Sequence, residues 1–455
     1  MDTLFPKTII TYIGLFASAF AANNFLYFRG FMLGFLLLGE TRKCVTNIAR
    51  VCFFLNKNIS CWERFLSQYQ WDIDDVKRKL IVLINEQLHN QLFIFGAYLA
   101  WVDTTLIAKV NGKMPAVQKW HDHSGNPDRG ESMVGHHWAL AGLLGATIIA
   151  QQWTPFCLPI MANLISGNTN PFGFVVNSNG VAQAMTFWDA VCPLISQMAL
   201  MLEHQPLRVV ADAYFAKAPF INWMLSISVH VITRMRWDAV GWDDPQPEPI
   251  LPPGKKKLGR RRTNPRKGKE WKLATLIKSS VPESITAYIY GKLRTFNVVT
   301  RDVWVRDVTI QKVRVVVIQT TGDPVILLST DLTLTPKQII ILYAMRFSVE
   351  LGIRDAKQHF GLGDYQCTSF LAMTRFVGLS LVSFCLWRIA LLTEQNAEWL
   401  MQGERFNEAT SPLSFVRIRR ATRRYVIGKL FENSASGANF QKSGIVPDEI
   451  LRMVA

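Results

Sequence analysis

The stretch Tyr343-Ala-Met-Arg346-Phe-Ser-Val-Glu350-Leu-Gly-Ile-Arg354-Asp-Ala-Lys357 places polar side chains at intervals of three, four and seven residues. At about 100° per residue, these side chains share one face of a single helix, which is predicted over Pro336 to Phe360. A glutamate flanked by three cations suits a site where a carboxylate holds a metal ion and the cations hold phosphates. A solvated helix could carry the same residues by chance, so such a site also needs carboxylates from elsewhere in the chain.

Two aspartates are predicted to lie at strand ends, which is where α/β sheets bind their ligands. Asp103 closes the apolar run Leu92 to Val102, and Asp212 closes the run Leu207 to Ala211. Mg²⁺ prefers hard oxygen ligands, and a nuclease with two metal ions must clamp both the attacking and the leaving oxygen. Asp103, Asp212 and Glu350 are therefore the predicted catalytic carboxylates.

These residues resemble the signature of DDE transposases of the bacterial insertion-sequence type. Four positions match the Tyr-(2)-Arg-(3)-Glu-(6)-Lys pattern of that family in residue type and spacing: Tyr343, Arg346, Glu350 and Lys357. Asp103-Thr-Thr resembles the family's first acidic motif, and Val-Ala-Asp212 resembles its second. The resemblance spans roughly residues 92 to 392. It implies an α/β fold with a ribonuclease-H-like mixed sheet flanked by helices, an inserted β subdomain and an N-terminal helical DNA-binding region.

The resemblance implies a cut-and-paste transposase that binds element ends, cleaves DNA by metal-dependent hydrolysis and joins the 3′ ends to target DNA. Asp103, Asp212 and Glu350 would bind Mg²⁺, for which Mn²⁺ can substitute. The other predicted DNA contacts are cationic or aromatic and come from the glutamate helix and a basic run: Tyr343, Arg346, Arg354, Lys357, Lys255, Lys256, Lys257, Arg260, Arg261 and Arg262. The expected partners are the double-stranded transposon ends and target, with a homodimer in the DNA complex, and the expected location is the cytoplasm, at the nucleoid.

Changes in composition along the chain mark five segments, and the resemblance implies the role of each. They are a helical DNA-end-binding region at 1–90, the first part of the catalytic core at 91–235, an inserted β subdomain with a basic loop at 236–335, the continued core with the glutamate helix at 336–395, and a basic C-terminal region at 396–455. Within the first segment, Val45 to Phe65 could be a helix-turn-helix that reads DNA or simply part of a helical bundle.

The overall charge points to a polyanionic partner. The chain has 455 residues with 50 Lys and Arg against 34 Asp and Glu, a formal net charge of +16, which suits nucleic acid or an anionic membrane surface. The seven scattered cysteines show no metal-ligand spacing and indicate a reducing compartment. Near the N terminus, the apolar runs Ile9 to Ala22 and Phe31 to Leu38 are each shorter than the ~20 residues of a membrane span, so two packed helices are predicted.

Three alternatives to a cut-and-paste transposase stay open: a ribonuclease-H-like metal-dependent nuclease, a catalytically inactive DNA-binding protein derived from a transposase, and a membrane protein with an N-terminal anchor. Asp331, Asp355 and Asp364 are assigned to turns or to helix faces that point away from Glu350. A metal centre at His121-Asp122-His123 or His136-His137 is disfavoured because no third ligand has suitable spacing. Four tryptophans of the insertion could stack on a DNA base or fill its core: Trp237, Trp242, Trp271 and Trp304.

Overall fold

The computed structural model describes residues 4–110, 114–121, 132–149, 151–165, 174–176, 182–184, 186–244, 270–306, 308–394, 397–401 and 413–435. The helices are α1 Lys7–Gly14, α2 Ala22–Leu37, α3 Val45–Val51, α4 Ile59–Ser67, α5 Ile73–Leu92, α6 Phe187–Met201, α7 Ala218–Ser226, α8 Leu276–Ser279, α9 Pro336–Met345, α10 Phe347–Phe360, α11 Phe370–Thr393, α12 Glu398–Met401 and α13 Phe415–Ala435. The strands are β1 Phe93–Ile94, β2 Ala97–Ala108, β3 Gln118–His121, β4 Ser132–Ile149, β5 Gln152–Ile165, β6 Phe174–Val176, β7 Ala182–Ala184, β8 Leu207–Ala211, β9 His230–Met235, β10 Val240–Trp242, β11 Glu270–Lys272, β12 Glu283–Ile289, β13 Lys292–Val305, β14 Val308–Ile318 and β15 Val325–Ser329.

Five strands form the centre of a mixed sheet in the order β5-β4-β2-β8-β9. Strand β4 is antiparallel to both β2 and β5, whereas β8 runs parallel to β2 and β9 runs parallel to β8. This is the ribonuclease-H-like arrangement expected from the sequence, with helices flanking the sheet. Because the connections between parallel strands need crossovers, α6 and α7 lie between β5, β8 and β9 in the chain.

The inserted strands extend the same sheet. Strand β15 pairs with β9 in antiparallel register, and β14 and β13 follow it outward. Together with β1, β3, β10, β11 and β12, the sheet has 13 strands in the described part of the chain. Strand β12 folds back from β13 and packs on α9 through Ala287, Ile289 and Ala344, so the insertion contacts the segment that leads to Glu350.

Helix α11 is the central helix of the fold. It packs against β5 on one side and against α2, α5 and α10 on others, and residues along its whole length are buried. Among the described helices it is the one that is long and apolar enough to cross a membrane. Its apolarity is explained by burial, because a helix enclosed by protein on all faces needs no polar stripe.

The N-terminal helices confirm the prediction of two packed helices in the first forty residues. Helix α1 and helix α2 are separate, and α2 contributes Phe31 and Phe35 to ring contacts with Phe376 of α11. Helices α3 and α4 follow, with Trp62 and Phe65 of α4 buried. These helices and the sheet belong to one continuous hydrophobic core, and whether α3 and α4 read DNA stays a prediction.

The expectation of a strand from Leu92 to Val102 that ends at Asp103 needs correction. Helix α5 continues through Leu92, so the first long strand begins at Ala97, and Asp103 lies inside β2 instead of at its end. Strand β2 continues beyond Asp103 because β4 pairs with it as far as Ala108. The pairing is made by backbone hydrogen bonds, so polar side chains after Asp103 do not interrupt it.

The single helix expected over Pro336 to Phe360 is interrupted at Arg346. Helix α9 ends at Met345 and α10 begins at Phe347. At the junction, the Ser348 hydroxyl donates to the Met345 carbonyl at 2.6 Å, and Val349 N–H bonds the carbonyl three residues earlier at 2.9 Å. Tight turns and a serine side chain that takes a backbone carbonyl are recognised causes of helix breaks. Of the four signature side chains, Tyr343 therefore lies on α9, Arg346 at the junction, and Glu350 and Lys357 on α10.

Candidate active site

The two aspartates lie on neighbouring parallel strands. Residues of β2 and β8 pair up to Trp101 with Val210, and two further steps along each strand lead to Asp103 and Asp212. Asp212 leaves the end of β8, as the sequence predicted, and its Oδ1 accepts a hydrogen bond from Tyr214 N–H at 2.9 Å. Its backbone carbonyl accepts the hydroxyl of Thr233 from β9 at 2.7 Å. Strand pairing thus brings both carboxyl-bearing residues to one region of the sheet.

Glu350 comes from the first turn of α10 and is paired with Arg346. The guanidinium of Arg346 donates to Oε1 of Glu350 at 2.7 Å, and the Glu350 side chain is 49% exposed. Arg346 also lies 5.9 Å from the ring centroid of Tyr343. Its Nε is buried and has no hydrogen-bond partner among the described residues. Nε of Arg346 is therefore a donor that the described part of the chain leaves unused.

The pKa of Asp103 depends on the charges of the other two carboxylates. Burial, together with the negative charges of Asp212 and Glu350, raises the pKa of Asp103 to about 7, although Thr104 N–H and the positive charge of Arg346 act in the opposite direction. Coulombic interaction falls with distance and with solvent screening. The structure therefore brings Asp103, Asp212, Glu350 and Arg346 within electrostatic reach of one another.

Tyr343 adds a link to the Asp212 side of this region. Burial raises the pKa of its phenol, with a smaller contribution from Asp212, while Arg346 and Arg234 lower it. Arg234 is an exposed residue of β9, one strand beyond Asp212. Sequence reasoning missed Arg234 because it lies in a short strand with no motif around it. The signal available was its position near the end of the next strand, where a parallel sheet gathers functional side chains.

The two remaining cations of the glutamate helix have different surroundings. The Lys357 ammonium donates to the Leu106 carbonyl of β2 at 3.0 Å, so it fastens α10 to the strand that carries Asp103. Arg354 is 59% exposed and lies 3.5 Å from Asp355. Helix α10 ends at Gly361, which has a φ of 65°, a conformation that glycine adopts without steric cost.

The carboxylates match the donor chemistry of a divalent metal site, although they are not gathered into one. In the described residues, no group of three or more His, Cys, Asp or Glu side chains is close enough to hold an ion. Asp212 and Glu350 instead use their oxygens on Tyr214 N–H and Arg346. However, three carboxylates are hard oxygen donors, and the mutual repulsion evident at Asp103 is of the kind that a cation relieves. The residue types present therefore fit Mg²⁺ or Mn²⁺.

The residues assigned to structure have structural partners. Asp331 is a turn residue that accepts Thr333 N–H at 2.9 Å, and it also forms a buried ion pair with Arg208 of β8 at 2.8 Å, which the sequence did not reveal. Asp355 lies 3.4 Å from Arg388. Asp364 is a loop residue that accepts Lys43 N–H at 2.8 Å. These contacts confirm the turn and loop interpretations of Asp331 and Asp364.

His136 of the second histidine motif serves the interior. His136 is buried, and its ring nitrogens lie 2.6 Å from the Tyr365 hydroxyl and 2.8 Å from the Pro115 carbonyl. Trp138 Nε1 donates to the same hydroxyl. Asp122 and His123 of the other histidine motif lie outside the described residues.

The insertion provides part of the predicted DNA-contact surface. Trp237 is 52% exposed and Trp242 is 5% exposed, so they have opposite environments. The Nε1 of Trp304 donates to Asp244 at 2.8 Å. The predicted contacts of the basic run, Lys255, Lys256, Lys257, Arg260, Arg261 and Arg262, lie outside the described residues.

Comparison with known families bears on the region that carries Asp212 and Glu350. Residues 161–386 match the family model of the transposase DDE domain. The matched range begins near the end of β5 and ends within α11, so it includes the inserted strands and excludes Asp103. No curated protein matches the chain significantly. Over these residues the chain is similar to DDE transposases, whose substrate is DNA.

Proposed function

We propose that this protein is a DNA transposase that binds the ends of its element, cleaves the DNA by metal-dependent hydrolysis and joins the 3′ ends to target DNA, in the manner of insertion-sequence elements. The observation that carries the proposal is the position of Asp103 and Asp212 on neighbouring parallel strands, with Glu350 near enough to contribute to the raised pKa of Asp103, in a chain whose residues 161–386 match the transposase DDE domain.

In this proposal Asp103, Asp212 and Glu350 hold Mg²⁺, with Mn²⁺ as a substitute. When bound, two such ions would supply activation of the attacking water or 3′-hydroxyl and stabilisation of the leaving oxygen. Glu350 has to leave its ion pair with Arg346 to take part. The phosphate of a DNA strand is a suitable replacement partner for Arg346, since guanidinium groups bind phosphate through paired hydrogen bonds.

Neighbouring residues position the DNA. Tyr343 and Arg346 contact the strand beside the cut, and Arg354 extends the cationic surface along α10. The Lys357 ammonium holds α10 against β2 through the Leu106 carbonyl, and it can contact a phosphate at the same time because an ammonium carries three donors. The basic run at 255–262 supplies further phosphate contacts, as nine Lys and Arg between 255 and 269 can release many counterions.

We further propose the segment boundaries at residues 90, 235, 335 and 395, a homodimer in the DNA complex, and action in the cytoplasm at the nucleoid. The position of β10 to β15 between β9 and α9 supports the insertion at 236–335. Pairing of two element ends requires two active sites, which supports a dimer. DNA as substrate and seven free cysteines suit the cytoplasm.

The experiment is cleavage of DNA that carries the sequences flanking this gene, with Mg²⁺, Mn²⁺ or EDTA. We expect metal-dependent cuts at the flanking ends by the wild type, and at least a hundredfold less cleavage by Glu350→Gln, Asp103→Asn and Asp212→Asn. The matched control is Glu86→Gln, which removes an exposed glutamate from α5 and should cleave like the wild type.

The two fold-sharing alternatives give different results in the same assay. A protein that binds this DNA but never cuts it would be an inactive DNA-binding protein. Cleavage without any joining of the 3′ ends to a target plasmid would identify a nuclease.

A further inference from the structure

An aromatic cluster with an exposed ring lies directly beside Asp212. Tyr214 follows Asp212 by two residues, and its backbone N–H is bonded to the Asp212 carboxylate. The Tyr214 side chain is 48% exposed. Behind it, Phe215 and Phe220 are fully buried and in contact with each other. One large ring thus faces solvent next to the proposed catalytic centre while its neighbours anchor the cluster in the core.

The Tyr214 ring is held in place by its neighbours. The edge-to-face contact with Phe187 has a centroid distance of 5.2 Å, the offset stack with Trp188 has 6.3 Å, and Phe215 lies at 5.7 Å. Phe187 and Trp188 begin α6, whose first turn is capped reciprocally by Thr186 and Asp189. A ring positioned by several aromatic contacts binds a partner with little loss of conformational entropy.

A lysine covers the Tyr214 ring. The Lys217 ammonium lies 4.1 Å from the ring centroid, which is a cation–π contact at an exposed site. Cation–π contacts at exposed sites are weak, so a group that stacks on the Tyr214 ring can displace the Lys217 ammonium. The ammonium would stay nearby and could bind a negative charge on the same partner. The partner suited to an aromatic face with an adjoining cation is a base followed by a phosphate.

We propose that Tyr214 stacks on the DNA base next to the cleaved phosphate, while Lys217 contacts the adjoining phosphate. This proposal rests on the proposed function and deepens it by assigning a positioning residue on the Asp212 side. Bases inside a duplex are stacked on both faces, whereas cleavage leaves the terminal base with one free face. Stacking at that face holds the cut end beside Asp212, ready for joining.

The probe is a pre-cleaved duplex that ends in the sequence flanking the gene and carries 2-aminopurine as its terminal base, in buffer with EDTA. The full-length wild type should quench the fluorescence of the terminal 2-aminopurine and leave an interior 2-aminopurine unchanged. Tyr214→Leu should lose this quenching and bind the duplex about tenfold more weakly, since loss of one base–aromatic stack costs about 1–3 kcal/mol. Tyr214→Phe should retain both properties.

A second tyrosine provides the matched control. Tyr425 of α13 has Lys429 over its ring at 5.8 Å, so Tyr425→Leu removes a similar pair elsewhere on the surface and should leave quenching intact. Equal quenching by the wild type and Tyr214→Leu, or no terminal quenching by the wild type, overturns the inference. A change in oligomeric state of Tyr214→Leu with unchanged quenching also overturns it and assigns the cluster to self-association. Cleavage is measured separately, so terminal quenching without cleavage would count against the proposed function alone.

Discussion

The ion pair of Arg346 with Glu350 competes with the proposed metal binding by Glu350. Its guanidinium holds the Glu350 carboxylate at 2.7 Å, yet Glu350 is needed beside Asp103 and Asp212 for metal binding. In the described residues, no three acidic side chains are gathered for an ion, and this pairing is one physical reason. A DNA phosphate that binds Arg346 would free Glu350, so assembly of the metal site would depend on DNA.

The substitution Arg346→Met tests this dependence. Without DNA, we expect the variant to bind Mn²⁺ on the order of tenfold more tightly than the wild type, since a charge-assisted hydrogen bond no longer competes for Glu350. Electron paramagnetic resonance of free Mn²⁺ measures the affinity. Arg354→Met, which removes an exposed cation from the same helix, should change it little. The gain in Mn²⁺ affinity should vanish in the double variant Arg346→Met, Glu350→Gln. If the double variant still bound Mn²⁺ more tightly, the ion pair with Glu350 would not be the cause.

His136 makes a second prediction at the residue scale. Burial lowers the pKa of His136 to about 4, with Lys109 adding to the effect. The unfolded chain binds a proton near pH 6.5, so the unfolded state takes up protons first as the pH falls. The neutral imidazole therefore makes its full contribution to the free energy of unfolding above about pH 6.5, and this contribution is lost as the pH falls from 6.5 to 4.

The free energy of unfolding should drop by about 2 kcal/mol between pH 7 and pH 5 through this group. Urea titrations of the wild type and His136→Gln at both pH values measure the effect. The difference between the two proteins should shrink at pH 5. A constant difference would show that His136 does not titrate in this range.

The contact between α10 and β5 is the decisive packing at the scale of elements. A Cβ added at Gly352 would lie 2.8 Å from Cys157 Sγ and 3.0 Å from Cys157 Cβ. The helix that carries Glu350 therefore approaches the sheet as closely as its backbone allows. Lys357 and the Leu106 carbonyl secure the same helix against β2.

We expect Gly352→Val to lower the free energy of unfolding by about 2 kcal/mol, because overpacking in a dense core forces the helix outward. Cleavage should fall as well, since Glu350 moves with the helix. Addition of Cys157→Ala should restore part of both. The control is Gly428→Val in α13, where nothing lies within 4 Å of the added Cβ. If Gly428→Val and Gly352→Val lowered the free energy of unfolding equally, the cause would be the helix propensity of valine and not packing against Cys157.

At the scale of the whole molecule, α11 joins the N-terminal helices to the sheet. Arg375 of α11 is buried, and its guanidinium donates to the carbonyls of Leu66 and Tyr69 at 3.1 and 3.0 Å and to the carbonyl of Trp71. It also lies 4.4 Å from the Trp71 ring centroid. These contacts close the loop after α4 onto the core helix. The predicted DNA-end-binding region is thereby fastened to the predicted catalytic core.

The substitution Arg375→Met should lower the free energy of unfolding by about 3 kcal/mol, because three buried carbonyls lose their donor. Urea unfolding, followed by tryptophan fluorescence and by circular dichroism, measures the loss. Coincident curves from the two probes would indicate that helices and sheet unfold together, as one hydrophobic core requires. An early transition confined to the helices would contradict this coupling.

The order of the elements could be predicted from the sequence to a large extent. The helix Phe370 to Thr393 and the strands of the insertion follow from apolar runs and β-branched residues, because these patterns depend on local neighbours. The placement of Asp212 after a strand was recognisable for the same reason. The position of Asp103 inside β2 was not, because pairing with β4 is a long-range contact that carries a polar segment through the sheet.

By itself, the sequence determined the residue types of the candidate site: two aspartates, a glutamate and the Tyr-Arg-Glu-Lys spacing, which identify chemistry through side-chain identity alone. Tertiary structure decided the remainder. Parallel pairing of β2 with β8 sets Asp103 beside Asp212, the break at Arg346 directs Glu350, and β9 brings Arg234 to the same region. Asp103 is more than a hundred positions from both Asp212 and Glu350 in the chain, and packing across the sheet, which no local pattern records, is what brings these residues together.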